Sequence, residues 1–517
     1  MRILPDSPTS VDAQASLERP FHRPALRSET YIPVALPSVL NRRDMILMFV
    51  GALFLFTNAV SGASGGVVSL LYLIIGAIIF FIPCVLVVLQ LGTLLPHEGS
   101  LYNWTYHALG PFWSFLVGLL YWLTGILAII TAASAFVTTL QGLNNAWLPD
   151  PWQQGLVMLA VIGLGALLYL QRLRTTQNIL NIAIIYILLV VALSTIAILV
   201  WFLQGHHSQT TFTHLPDWNI NPSNFFFFGI ITLNFIGASG PLNMAGEFQG
   251  ARDDQDKQRS IIRSHLTWGA LMAFACYFLV TLSALIIRGA AAMGAAAVLP
   301  FEGFTAIYIT MGTIVGNIAV VGFLLYCVIA TTFYGMASSR LLLVGAIDQR
   351  LPAWFGKLTA ARIPRNAILF QTVSAWVIVL IAYIGAPALL QLGGSATNTQ
   401  TIFYTVISAS VTLVWTLATA FFFINAWALY RRNPRFFTEK RALPLPLLWI
   451  SSVIGFVACI LTIIGILAYS WIPTLINNGP WLYTIAGAVA AVLVITTIMS
   501  IFATSEASWQ TLQQGEA

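Results

Sequence analysis

The sequence predicts an all-α integral membrane protein with twelve transmembrane helices, and three observations support this prediction. Of its 517 residues, 58% are hydrophobic and only 8% are charged, against roughly 25% charged in a soluble domain. About a dozen apolar stretches reach the length of about 20 residues that a bilayer core requires. The Lys and Arg residues fall almost entirely on one side of the membrane that these stretches define.

The apolar stretches give the spans in chain order. Spans 3, 8 and 10 are longer than a bilayer requires, which predicts tilt or extension beyond the lipid. An even number of spans places both termini on one side. The twelve spans are expected at approximately 45–67, 69–92, 112–141, 153–170, 178–203, 223–249, 266–288, 304–344, 366–384, 401–429, 447–470 and 481–503.

The distribution of positive charge predicts the orientation. Of the 23 Lys and Arg residues, 22 lie in the N-terminal tail or in loops after even-numbered spans, and only Arg288 lies in a loop after an odd-numbered span. Because Lys and Arg concentrate in cytoplasmic loops, both termini are expected in the cytoplasm of a plasma-membrane protein. The net charge of +6 is therefore an asymmetry at the membrane surface, and no nucleic-acid partner is expected.

Composition also predicts the domain organisation. Residues 1–43 are rich in proline and lack an apolar run, which predicts a disordered cytoplasmic tail. A membrane domain is expected over 44–503, with one repeat at about 44–203, a second at about 223–429 and two extra helices at 447–503; residues 504–517 form a short tail. The four cysteines lie within spans and no nucleotide-binding or metal-binding motif occurs, so no cofactor or metal is expected.

Gly62, Ser64 and Gly66 form a G-x-S-x-G pattern, which in α/β-hydrolases marks the nucleophile. That motif needs a strand and a surrounding soluble sheet. Here it lies in an apolar run without a charged residue from Met45 to Leu95. A break in a membrane helix is therefore the favoured interpretation, and no enzymatic activity is expected.

The tetrapeptide Gly-Ala-Ser-Gly occurs at 62–65 in span 1 and again at 237–240 in span 6, where Pro241 follows it. Many secondary transporters contain two inverted repeats whose first helices are broken. The matched positions predict broken helices 1 and 6. Free amides at such breaks suit a carboxylate and free carbonyls suit an ammonium group, so the pair could hold an amino acid. The alternative is that the small residues only let helices pack closely.

Three segments resemble the amino acid–polyamine–organocation transporter superfamily. They are residues 72–111, which resemble its second span and following loop, residues 235–261, which resemble its sixth span, and SSRLLLVGAIDQRLPAWFGKLTAARIPRNA at 338–367. The chain departs from the family pattern at Gln90 and Ser239, where glutamate is usual. FTNAVSGASGG and FFIP look most like the glutamate/γ-aminobutyrate antiporter branch. The resemblance implies a LeuT-type 5+5 inverted repeat, with substrate bound between spans 1, 3, 6, 8 and 10.

The resemblance also implies substrate-binding residues at both breaks. It places 58–61 in the unwound part of span 1, and it makes Phe235 an aromatic gate above the substrate. Each residue has a plainer interpretation in helix packing or, for serine, in a bond to its own helix. The expected substrate-binding residues are Asn58, Ala59, Val60, Ser61, Gly62, Ser64, Gly65, Phe235, Ile236, Gly237 and Ser239.

Further residues are candidates for gating and ion coupling. Glu247, at the cytoplasmic end of span 6, is expected to pair with Arg340 or Arg252 as a gate, or else to be a solvated helix end. Thr331 and Thr332 could hold Na⁺ with carbonyls of span 1, although such threonines more often bond their own backbone. No ionisable side chain is expected deep in a span, which favours exchange over proton coupling.

The expected function is secondary active transport of amino acids by alternating access, with exchange of neutral or zwitterionic amino acids favoured. The charge-poor site disfavours polyamines, because a dication requires buried carboxylates. Glutamate/γ-aminobutyrate-type antiport, polyamine transport and a non-transporting membrane amino acid sensor remain as alternatives. The expected partners are a small-molecule amino acid and the lipid bilayer.

Overall fold

The computed structural model describes residues 23–294, 296, 298–385 and 396–515, with side chains described to residue 504 except at 396–400. No β-strand occurs among these residues, and the prediction of an all-α membrane protein is confirmed. Eleven helices are long and apolar enough to cross a membrane, and a bent helix pair supplies a twelfth span. The helices are α1 Arg27–Ala35, α2 Arg42–Leu53, α3 Phe56–Ala63, α4 Val67–Leu94, α5 Ser100–Ala108, α6 Pro111–Leu143, α7 Pro151–Tyr169, α8 Leu173–Leu203, α9 Phe226–Phe235, α10 Gln255–Ile287, α11 Gly289–Gly294, α12 Glu302–Met311, α13 Thr313–Ile347, α14 Arg365–Leu380, α15 Ala396–Arg432, α16 Pro434–Glu439, α17 Leu445–Ala468 and α18 Asn478–Gly515.

Two of the twelve spans are broken, as predicted. The first span consists of α2 and α3, which are bent by 43°. The sixth consists of α9, an irregular stretch and the 3₁₀ helix Gly240–Glu247. The remaining spans are α4, α6, α7, α8, α10, α13, α14, α15, α17 and α18.

The order of the spans gives two groups of five, α2–α8 and α9–α15, followed by α17 and α18. Because each group has an odd number of spans, the two groups cross the membrane in opposite directions. α6 and α13 form the central contact, and α15 packs beside them. We call the end of the molecule that carries the N-terminal segment and the Lys- and Arg-rich loops the basic face, and the other end the opposite face.

Local sequence signals explain several helix ends. α2 begins with a reciprocal capping pair between Asn41 and Asp44, whose side chains accept hydrogen bonds from free backbone amides. α7 begins with proline directly after Asp150, and proline has no amide hydrogen that needs a partner. Asp44 also accepts hydrogen bonds from Arg174 and Asn181, each at 2.7 Å. The start of α2 is thereby tied to α8.

The expectation of one long span 8 over 304–344 is wrong. The stretch consists of α12 and α13, which are separated at Gly312, where φ is +82°. A backbone in this region favours glycine, and the sequence shows no other signal there because both helices are apolar. Only α13 crosses the membrane as a full span.

The expectation of a disordered tail over 1–43 is wrong for the part that the structure describes, from residue 23 onward. Here α1 folds against the basic face, and Ile32, Leu36 and Leu40 are at most 2% exposed. These few apolar side chains are too sparse to form an apolar run, but the membrane domain provides the surface that buries them. Residues 1–22 lie outside the described residues. At the other end, α18 extends through most of the tail expected at 504–517.

Candidate functional site

Three neighbouring cavities, which share lining residues, lie between the spans. The outer cavity has a volume of about 160 Å³ and is lined in part by Leu299, Pro300 and Ile472, which lie in loops of the opposite face. The upper central cavity, of about 30 Å³, lies between the two helix breaks, and the lower central cavity, of about 20 Å³, lies beyond it. Asn58 and Leu233 line both the outer and the upper cavity, whereas Ala52, Tyr334 and Trp415 line both central cavities. No charged side chain lines them among the described residues.

The first break lies at Phe54 and Leu55, which have extended backbones with ψ of 117° and 118°. Residues 58–61 therefore belong to the helix α3, and the expectation that they are unwound is wrong. The first Gly-Ala-Ser-Gly copy lies at the end of α3, where Gly66 with φ of +74° begins the turn into α4. The motif at 60–66 is thus neither a hydrolase elbow nor the helix break.

Three tyrosine hydroxyl groups satisfy the carbonyls that this break frees. Tyr277 of α10 donates to Leu53 O at 2.6 Å, and Tyr334 of α13 donates to Ala52 O at 2.9 Å. Tyr326 of α13 lies 2.7 Å from Phe54 O and 3.2 Å from the carbonyl of residue 51. A helix end leaves carbonyls without helical partners, and here side chains from neighbouring spans supply the donors.

The second break coincides with the second tetrapeptide copy. Gly237 has φ of +103°, and Gly240 N donates to Gly237 O at 2.8 Å to close a tight turn. The 3₁₀ helix then begins with proline among its first two residues. Here the glycine in the sequence correctly locates the break, because other residues rarely adopt the positive φ that the backbone has at Gly237.

The two breaks leave complementary backbone groups at helix ends close to the upper central cavity. The amides of Phe56 and Thr57 at the start of α3 have no hydrogen-bond partner among the described residues, and neither do the carbonyls of Asn234 and Phe235 at the end of α9. These four residues do not line the cavity, but each is next in sequence to a residue that does, namely Leu55, Asn58, Leu233 or Ile236. Helix ends of opposite sign therefore lie near this cavity.

The predicted polar residues of α3 reach the outer cavity. Asn58, Ser61 and Ser64 all line it. The side-chain Oδ1 of Asn58 accepts a hydrogen bond of 2.7 Å from the Tyr404 hydroxyl group of α15. Ser61 donates to Thr57 O at 2.9 Å and Ser64 donates to Ser61 O at 2.8 Å, so both hydroxyl groups are bonded within their own helix.

The predicted residues of the second break lie deeper. Ile236 lines the upper central cavity and Gly237 lines the lower one. Ser239 is fully buried, and its hydroxyl group lies 2.8 Å from the hydroxyl group of Tyr121 of α6. Where the superfamily usually has a carboxylate, this chain therefore has a neutral pair of hydroxyl groups.

Four predicted residues near the first break line none of the three cavities. Ala59 and Val60 are fully buried, with the Ala59 carbonyl facing α10. The two glycines allow α9 to approach, since a Cβ atom on Gly65 would lie 2.6 Å from the Phe227 ring. The four residues are Ala59, Val60, Gly62 and Gly65.

Phe235 also points away from the cavities, and the expectation of an aromatic gate there is wrong. Its ring stacks on Phe81 of α4 at a centroid distance of 4.7 Å and meets Tyr277 of α10 edge-on at 5.9 Å. The side chain is fully buried. Trp415 of α15 instead packs against the second break and lines both central cavities.

The two threonines proposed for a Na⁺ site bond elsewhere. Thr331 donates to Val328 O at 2.6 Å, and Thr332 lies 3.3 Å from both Val328 O and Gly165 O. They therefore face their own helix and α7, and the structure does not bring them to the carbonyls of the first break. Those carbonyls already accept from tyrosines.

A buried ion-pair cluster closes the path on the basic face. Arg340 of α13 donates to both carboxylate oxygens of Glu247, at 2.7 and 3.3 Å. Of the predicted alternatives, Glu247 thus pairs with Arg340. Glu98, which sequence analysis missed, lies 3.8 Å from Arg340 and accepts a bond of 2.7 Å from Gly246 N. Burial raises the pKa of the Glu98 carboxyl well above its ordinary value of 4.5, and the Glu247 carboxylate adds to this rise.

The N-terminal segment covers this cluster from the basic face. The Ser28 amide and hydroxyl groups each donate to Asp348 at 2.9 Å, and Glu29 lies 2.7 Å from His107 Nε2. Leu40 pairs with the backbone after the 3₁₀ helix, donating to Glu247 O at 3.0 Å. Burial raises the pKa of Asp348 to about 6, although the bonds from Ser28 oppose that rise. The molecule is therefore closed at the basic face and open at the opposite face.

The arrangement defines a class of protein: a multi-pass membrane transporter with two broken helices at its centre. The fold is similar to the crystal structure of a mutant manganese transporter of Eremococcus coleocola, with a TM-score of 0.56, 12% identity and coverage of 90% of this chain and 94% of that one. This similarity supports the LeuT-type fold. The chain belongs to the amino acid permease family, whose model matches residues 40–491.

Three relatives that are similar in sequence are also transport proteins by name. The aromatic amino acid transport protein AroP of Corynebacterium glutamicum is 27% identical over 372 residues, which cover 68% of this chain and 75% of that protein. A probable polyamine transporter of Arabidopsis thaliana is 38% identical over 65 residues, 13% of each chain. Polyamine transporter PUT1 of Oryza sativa subsp. japonica is 33% identical over 66 residues, 13% of this chain and 12% of that one. The predicted resemblance to the superfamily is confirmed.

Proposed function

We propose that the protein is a secondary transporter of the plasma membrane that exchanges neutral or zwitterionic amino acids by alternating access. The observation that carries this proposal is the pair of helix ends at the upper central cavity. Free amides of α3 would bind the substrate carboxylate, and free carbonyls of α9 would bind its ammonium group. Both charges are met without a charged side chain, which suits a substrate of no net charge.

We propose fewer substrate-contacting residues than the sequence predicted. Asn58 lies at the boundary between the outer and upper cavities, where it would contact the substrate together with the backbone of Ile236 and Gly237. Ser61 and Ser64 would contact it earlier, in the outer cavity. Ser239 would act through its bond to Tyr121 of α6.

Alternating access requires the basic face to open. In that step the Arg340 side chain would leave Glu247, and α1 would release Asp348, so that the lower cavity gains a path to the basic face. The positive charge of this face supports a cytoplasmic location for it and for both termini. The present structure would then be the outward-facing state.

Exchange without ion coupling is supported by the first break. Its carbonyls, which could otherwise ligate a cation, accept hydrogen bonds from Tyr277, Tyr326 and Tyr334. With no coupling ion, net flux would need a counter-substrate. Polyamine transport is less well supported, because a dication would lack a carboxylate partner at the three cavities.

The test is uptake of a radiolabelled amino acid mixture into proteoliposomes that contain the full-length protein. Vesicles would be empty, preloaded with unlabelled amino acids, or placed under an imposed Na⁺ or proton gradient. Uptake only into preloaded vesicles supports exchange. Uptake into empty vesicles driven by Na⁺ or protons would refute ion independence, and binding without uptake under any condition would favour an amino acid sensor.

A further inference from the structure

Trp415 separates the two central cavities. Its side chain lines both of them and is 7% exposed. The indole lies against the backbone of the second break, because a Cβ atom on Gly237 would lie 2.7 Å from Trp415 Cζ2. On its other side the Tyr121 ring meets it edge-on, with a centroid distance of 5.9 Å. Trp415, together with Ala52 and Tyr334, thus lies between the two spaces.

The size of each cavity limits what can occupy it in this state. A cavity needs about 10–15 Å³ to hold one water molecule, so the central cavities, of about 30 and 20 Å³, are only slightly larger than that threshold. A large amino acid side chain fits neither. The outer cavity, with 160 Å³, has room for a whole amino acid. A substrate must therefore displace Trp415 to pass inward.

The position of the helix ends directs the substrate side chain toward Trp415. The upper cavity, of about 30 Å³, is smaller than an amino acid and must widen to hold one. An amino acid held at its carboxylate and ammonium groups by α3 and α9 would then have Trp415 facing it. The lower cavity presents the aromatic surface of Tyr121, Phe333 and Tyr334. It is also lined by Thr124, Asn243 and Ser338, but Thr124 donates to Tyr121 O, the Asn243 side-chain oxygen accepts from Ser100, and Ser338 donates to Tyr334 O. An apolar side chain can be buried there, whereas a charged one would lose its hydration without a partner.

We propose that Trp415 determines specificity: it sets the size of the subsite for the substrate side chain, and the substrates are amino acids with apolar side chains. This inference rests on the proposed function. Truncation of the indole joins the two central cavities into one. The uptake of larger relative to smaller apolar amino acids then rises by about 10-fold or more, because even one methylene group in a hydrophobic pocket changes selectivity by about 10-fold.

The experiment compares full-length wild type, Trp415→Ala, Trp415→Phe and Trp427→Ala in proteoliposomes. Trp427 is a matched control, because it lies on the same helix and is 52% exposed on the outer surface. Initial uptake rates are measured for alanine, leucine, phenylalanine, tryptophan, glutamate and arginine. We expect the ratio of tryptophan to alanine uptake to rise most in Trp415→Ala, less in Trp415→Phe and not in Trp427→Ala.

The proposal is overturned if active Trp415 variants keep the wild-type ratio, if Trp427→Ala shifts it equally, or if glutamate or arginine is the preferred wild-type substrate. Should Trp415→Ala not fold, Trp415→Phe and the thermal shift that each amino acid causes in the purified protein decide the question. Wild type that neither binds nor moves any of the six amino acids refutes the proposed function as well. Wild type that transports them with unchanged ratios in the variants refutes only the role of Trp415.

Discussion

Both helix breaks at the centre of the protein interrupt a membrane span, but different interactions cause them. The break between α2 and α3 contains neither glycine nor proline at Phe54 and Leu55, and three tyrosine hydroxyl groups from α10 and α13 hold its carbonyls. The break after α9 is built on Gly237, with φ of +103°, and on a turn within four residues. One break is thus specified by neighbouring helices, and the other by its own backbone.

This difference shows that a repeated motif need not mark repeated structure. Both copies of Gly-Ala-Ser-Gly lie in the first span of a five-span group, but only the second copy lies at a break. In the first copy the small residues let α9 pack closely against α3. The first copy allows close packing of helices, which was the plainer interpretation. The second copy lies at a helix break.

The largest expected effect comes from Arg340, which fixes the far end of the second break. Arg340→Ala leaves the buried carboxylates Glu247 and Glu98 without a cation, which we expect to lower the free energy of unfolding by about 3–5 kcal/mol. Exposed Arg431 on α15 provides the control. Thermal unfolding in detergent measures the change; an Arg340→Ala protein as stable as Arg431→Ala would contradict a closed-gate role for this cluster.

The two tetrapeptide copies can be compared directly with one substitution in each. Gly237→Ala places a methyl group 2.7 Å from Trp415 in a backbone with positive φ, and we expect a loss of about 2–4 kcal/mol with at least 10-fold slower transport. Gly62→Ala meets its nearest atom at 3.4 Å and should cost less than about 1 kcal/mol. If the two substitutions have equal effects on unfolding and on uptake, the two tetrapeptide copies do not have different structural roles.

The first break is probed by removing one hydroxyl group. Tyr326→Phe leaves the Phe54 carbonyl without its donor in a buried site, and we expect a loss of about 1–3 kcal/mol. Tyr31→Phe removes a hydroxyl group from a side chain of α1 that is 50% exposed outside the spans and should cost less than about 1 kcal/mol. If Tyr326→Phe is no more destabilising than Tyr31→Phe in chemical or thermal unfolding, the Tyr326 hydroxyl group does not maintain the break.

The smallest expected effect is the pH dependence that Asp348 gives to the stability of the folded protein. The pKa of Asp348 is about 6 in the folded protein, mainly because the carboxyl group is buried, against an ordinary value of 3.8. The folded state therefore binds the proton more tightly, so this contribution to stability is complete below pH 3.8 and is lost as pH rises through 6. Between pH 7 and pH 6 the change is a few tenths of a kcal/mol.

Thermal unfolding in detergent at pH 5.5 and pH 7.5 measures this contribution. We expect the stability of wild type relative to Asp348→Asn to be greater at pH 5.5 than at pH 7.5, because only wild type gains from protonation of Asp348. The raised pKa of Glu98 acts in the same direction in both proteins. A relative stability of wild type that falls at acidic pH would contradict the raised pKa of Asp348.

Hydrophobic length and charge asymmetry determined the membrane class, the number of spans and the basic face from sequence, because bilayer thickness and loop charge act on local stretches of chain. The second break was also predictable, since a positive φ selects glycine locally. The pairing of Glu247 with Arg340 was among the predicted alternatives, because few charged residues in an apolar chain have few possible partners.

Only the tertiary structure decided the remainder. The first break depends on tyrosines more than 200 residues away in sequence, and α1 folds because the basic face buries its few apolar side chains. Phe235 and Trp415 are both aromatic residues in apolar helices, and sequence cannot tell which one faces the cavity. A span that is apolar all round carries no periodic signal for its orientation, so contacts between helices alone fix which side chains meet the substrate path.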